Sequence, residues 1–102
     1  MIDNDLMVLE DAADAVFTLD QEYRLAIQAA DIDKVEKLKP QVEAAYEKYS
    51  LGRLKLLEKG VLATDEDVAE MRRIRAQIEQ AATLQTLIKG AVRLAAFLAK
   101  FI

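Results

Sequence analysis

The chain has 102 residues, of which 53% are hydrophobic and 31% charged, with a net charge of −4. That bounds it to a single domain, residues 1–102, with apolar material for a core and charge for a solvated shell. Cysteine and histidine are both absent, which excludes disulfides, thiolate nucleophiles, thiolate metal sites and the commonest general base. One proline and three glycines leave little material for turns. Straight-chain helix formers outnumber β-branched and aromatic residues, so the expected fold is all-α.

The first helix is expected over about residues 3–30, capped by Asp3 or Asn4. Leu6, Leu9, Ala13, Val16, Asp20, Tyr23, Ile27 and Ala30 alternate steps of 3 and 4, the spacing of a heptad seam. Asp20 interrupts the seam. Either another helix satisfies it, or the drift of about 20° per heptad in a straight helix brings Leu19 inward in its place. Residues 1–33 hold nine acids against Arg24 alone, whereas the rest of the chain holds nine acids and thirteen bases. An acidic first helix is a poor nucleic-acid surface and a possible attractor of a basic partner.

A second helix is expected over about residues 33–59, with Asp33 and Glu36 as a capping pair. Its seam is Val35, Leu38, Val42, Ala45, Tyr49, Gly52 and Leu56. Pro40 disfavours helix at Lys39, yet the seam keeps its phase across it, so the reading is one helix kinked at Pro40. The alternative is a short helical turn at 33–38 followed by a new helix with Pro40 at its first position. Gly52 is either a point of close approach or a weak point. Gly60 reads as the left-handed residue that ends the helix.

The third helix is expected over residues 65–102. Thr64 with Asp67 resembles a capping box, and Asp65, Glu66 and Glu70 suit the positive end of the helix dipole. Met71, Ile74, Ile78, Ala81, Gln85, Ile88, Val92, Ala95, Ala99 and Ile102 form its seam. The connections are short, so the architecture is an antiparallel three-helix bundle. A second helix of about 40 Å can cover the third only as far as about position 92. The last ten residues, with Leu94, Phe97, Leu98, Phe101 and Ile102, are then uncovered. Either they extend helix 3 into a contact with a second copy or another helical protein, or the chain folds back at Gly90 as a short fourth helix. Those five residues are the expected protein interface.

The function expected is therefore a non-enzymatic helical interaction or assembly protein, self-associating as a homodimer. One rival is peripheral membrane binding through amphipathic residues 84–102, with Lys89, Arg93 and Lys100 toward lipid head groups. Another is an acidic, antitoxin-like neutraliser of a basic partner, using residues 3–33. No cofactor, metal or nucleic acid is expected. The acidic cluster at 65–70 is explained by the helix dipole, and Arg72, Arg73 and Arg75 have no aromatic neighbours for base stacking. The N-terminal stretch has no basic segment before an apolar core, and no long uncharged apolar window occurs, so the expected location is cytoplasmic.

Overall fold

The computed structural model describes residues 3–60 and 62–102. Among these residues the structure is all-helical, with four helices: α1 (Asn4–Gln28), α2 (Ile32–Lys59), α3 (Asp65–Glu79) and α4 (Leu84–Ala99). The α1–α2 pair is a long antiparallel hairpin, closed on its inner side by Lys34 and Glu22 at 3.2 Å. α3 runs parallel to α1. Asn4 Nδ2 donates to Ala63 O and to Asp65 Oδ1 at one end, and Arg75 reaches Asp11 at 2.8 Å further along. α4 then returns beside α3, with Arg93 on Gln77 and Lys100 on Asp67.

α1 therefore packs on α2 and α3, and α4 packs on the same two helices. α1 and α4 touch only lightly across the centre, while α2 and α3 stand at opposite corners. The connection from α2 to α3 crosses the end of the bundle. Gly60 makes that crossing possible with φ of 62°, a conformation that costs glycine little. Asp5 holds it in place: its carboxylate is buried and accepts the Ala63 N–H.

Local sequence explains where each helix begins. Asp3 accepts from the Asp5 and Leu6 amides, and Asp31, rather than the expected Asp33, caps α2. Thr64 and Asp67 form the expected capping box. α2 is continuous through Pro40, which is exposed, so the carbonyl freed by its missing N–H can meet water. The seam read for α2 is the observed one: Leu38, Val42, Ala45, Gly52 and Leu56 are buried and Val35 and Tyr49 half-buried. In α1 the core stripe is Val8, Ala12, Ala15 and Leu19, with Leu9 and Val16 buried beside it. Leu19 has turned inward, and Asp20 lies toward the surface, paired with Arg24 at 2.8 Å.

The expected third helix over residues 65–102 is two helices. α3 stops at Glu79, the Gln80 N–H returns to Ala76 O, and Thr83 opens α4 through a capping box with Thr86. The fold-back therefore occurs at residues 80–83 and not at Gly90. Gly90 lies inside α4 at its crossing with α3, where a Cβ would stand 2.7 Å from Ile78 Cγ1. The turn resets the helical phase, so the expected seam fails beyond Ala81. Gln85, Val92, Ala99 and Ile102 are exposed, while Leu87, Ala91, Leu94 and Leu98 carry the core.

The mismatch in reach is consequently the reverse of the expected one. α1 and α2 have 25 and 28 residues, α3 and α4 have 15 and 16. The hairpin outruns the short pair by about ten residues, or about 15 Å of helix.

Candidate functional site

Four of the five residues expected at an interface lie in the protein's own core. Leu94 and Leu98 have no exposed surface, Phe97 and Phe101 are buried, and Ile102 alone is exposed. The Phe97 and Phe101 rings meet edge to face at 5.4 Å, and Lys100 Nζ stands 4.9 Å over the Phe97 ring. The ground for assigning these side chains to a partner was that nothing else could cover them. The turn at 80–83 removes it, because α4 lies back on α2 and α3. Burying each such side chain is worth roughly 1.5–3 kcal/mol, and the fold itself gains that free energy.

The same packing decides what α4 offers to solvent. Its apolar face is turned inward, and Gln85, Lys89, Val92, Arg93 and Ala96 remain outside. No helix among the described residues is long and apolar enough to cross a membrane. The acids of α1 are also largely engaged. Asp11 and Asp14 face Arg75 at 2.8 and 3.4 Å, Asp20 holds Arg24, and Glu22 holds Lys34. Glu79 and then Asp11 raise the affinity of the Arg75 guanidinium for its proton. In the acidic cluster at the start of α3, Asp65 accepts from Asn4, and Asp67 accepts from Thr64 and Lys100. Burial pushes the Asp67 carboxyl up, but the Thr64 amide and Lys100 outweigh it and hold it below its ordinary range. Among the described residues no group of three or more acidic side chains is placed to hold a metal ion.

What remains is the outer face of the α1–α2 hairpin. Among the described residues, ten of the twelve large apolar side chains left exposed belong to α1, α2 or the connection after α2, and none belongs to α3. Phe17 is 65% exposed and lies two residues from both Ala15 and Leu19, on the side of α1 away from the core. Leu54 lies two residues from both Gly52 and Leu56 on α2, and Leu57 and Tyr46 flank it one turn and two turns away. Near the crossing end Leu6, Leu56, Leu57 and Leu62 line an open cleft with Asp3, Asn4 and Asp5. The face offers apolar area bounded by charge.

The sequence carried a signal for this face. It is confined to α2, where the expected seam is the observed one: Leu54 and Leu57 lie outside that seam and are exposed, whereas the expected α1 seam carried no such information on Phe17. Comparison with protein-family models, with curated proteins and with solved structures gives no match.

Proposed function

We propose that the protein is a non-enzymatic helical module that works by contact with other proteins, its own copies included, and that the outer α1–α2 face is its contact surface. The observation that supports this is that ten of the twelve large apolar side chains exposed among the described residues belong to α1, α2 or the connection after α2. Contiguous apolar area on a folded chain marks an interaction surface more often than it marks nothing. Exposed aromatic and leucine side chains on packed helices also form a rigid surface that loses little entropy on binding. The interface moves from the expected C-terminal segment to Phe17, Tyr46, Leu54 and Leu57, with Leu6 and Leu62 at its end.

The test is light scattering of the full chain over a range of micromolar concentrations, for the wild type and for Phe17→Asp and Leu54→Asp. Both side chains are exposed, so the variants should keep the wild-type helical circular dichroism and melting temperature. Association that persists or strengthens in high salt and is lost in both variants supports the reading. A wild type that stays monomeric, or variants that associate as it does, overturns it.

A further inference from the structure

The crossing from α2 to α3 has an electrostatic result that chain order hides. Along the chain the helices alternate in sign. In space, α1 lies beside α3 and α2 beside α4. With their caps, α1 and α3 carry twelve acids and four bases, while α2 and α4 carry six acids and ten bases. The bundle is thus divided lengthwise into an acidic flank and a basic flank. A sequential neighbour-to-neighbour bundle would have mixed the two signs at every corner.

The two flanks are complementary in detail. On the basic side, Gly52 touches Leu98 of α4, and Lys48, Lys55 and Lys59 follow the same stripe at steps of three and four. None of the three forms an ion pair among the described residues. Lys55 is pushed below the ordinary lysine range by its contact with Lys59 and by the like charge there. Apolar Leu51 of α2, Val92 of α4 and Ile102 just beyond α4 are exposed. On the acidic side, Asp11, Asp14 and Glu79 surround Arg75 and Arg72 reaches Asp11 at 3.7 Å, so three carboxylates share two guanidinium groups. Glu10 lies one turn before Asp14, and exposed Leu25 lies three turns after it. Each flank therefore has unneutralised charge beside an exposed apolar side chain.

We propose that copies of this chain associate side by side, the acidic α1–α3 flank of one against the basic α2–α4 flank of the next. The principal extents of 45 × 22 × 18 Å bound each flank at about 800 Å², less where α3 and α4 stop short of the hairpin tip, which is of the order that each partner buries in a standard protein interface. The contact joins two different surfaces, so it generates rings or open rows rather than closed two-fold pairs. A two-fold contact through either flank would set like charge against like. The proposal goes beyond the outer-face reading and uses none of its residues.

Sedimentation velocity of the full chain at low and at high ionic strength tests it. At low salt the mean mass should rise to at least twice the 11.4 kDa of the monomer, and it should return to the monomer value at high salt. Two charge-reversed chains complete the experiment: Lys48→Glu with Lys55→Glu, and Glu10→Lys with Asp14→Lys. Each alone should assemble less than the wild type at low salt, because the first leaves its α2–α4 flank neutral and the second halves the charge of its α1–α3 flank, and mixing them should restore pairing through the intact acidic flank of the first and the intact basic flank of the second. Circular dichroism confirms that each is folded, and the salt response of the wild type stands even if one is not. A wild type that is monomeric at low salt overturns the proposal. So does association that grows with salt or survives both reversals, which would belong to the apolar outer face. Assembly of either reversed chain with itself to the wild-type extent would also overturn it, as would a basic flank that binds anionic vesicles while the chain stays monomeric.

Discussion

Gly90 and Ile78 meet where α4 crosses α3, so closely that a methyl group on Gly90 would stand 2.7 Å from Ile78 Cγ1. Ile78 is 2% exposed, so its side chain is held within the core. Overpacking of this kind costs about 1–3 kcal/mol, against roughly 1 kcal/mol of helix propensity gained on replacing glycine. Gly90→Ala should therefore lower the urea midpoint. Gly52 provides the contrast, because a methyl there would lie 3.6 Å from Leu98 O, an ordinary contact. Gly52→Ala should raise stability by up to about 1 kcal/mol. Shifts of the same sign in the two variants would contradict this packing.

Arg75 joins α1 to α3, and its three carboxylates differ in burial. Asp11 is 8% exposed and has Arg72 as a second, longer contact at 3.7 Å. The Asp14 side chain is 55% exposed. Exposed pairs contribute little, whereas a buried carboxylate is stabilised by a partner it cannot replace with water. Asp11→Ala should destabilise the fold clearly more than Asp14→Ala, as read from chemical denaturation. Equal losses would show that burial does not rank these contacts.

The depressed Asp67 carboxyl makes one contribution to stability pH-dependent. Such a group stabilises the native state above its unfolded value, and the contribution disappears as pH falls through the lower folded value. Asp67 is linked both to the Thr64 cap of α3 and to Lys100 at the end of α4. Asp67→Asn should be less stable than the wild type at neutral pH. The gap should close as the pH falls below the ordinary carboxylate range. A gap that stays constant through that range, measured by thermal melts, would show that Asp67 is not the titrating group.

The parts of this fold legible in the sequence are those that local chemistry determines. The α2 seam, the Thr64–Asp67 box and the Gly60 terminator each rest on residues within a few positions of one another. The turn at 80–83 was missed because Ala81 and Ala82 are good helix formers and no glycine or proline marks it. Apolar residues also continue at steps of three and four past the turn, interrupted at Gln85, so the seam runs on through Ile88. The Thr83–Thr86 pair was the available signal, weaker than a box with Glu or Gln. The interface residues followed that error, since Leu94, Phe97 and Leu98 are uncovered only if the helix does not turn back. The two charged flanks could not be read at all, because they depend on α1 lying beside α3 rather than on any run of residues.

The overhang of the long hairpin sets an order of events. Past the 80–83 turn the molecule is two helices in cross-section, and of residues 20–37 Ala26 alone is buried. A pair of helices has no interior, so this end has few contacts to hold it closed. At the other end Asp5 grips the crossing and four chain segments converge. Opening should therefore begin at the far tip and travel toward the crossing. Amide protons near Ala29 and Asp31 would be the first to exchange with solvent, and those near Val8 and Met71 among the last.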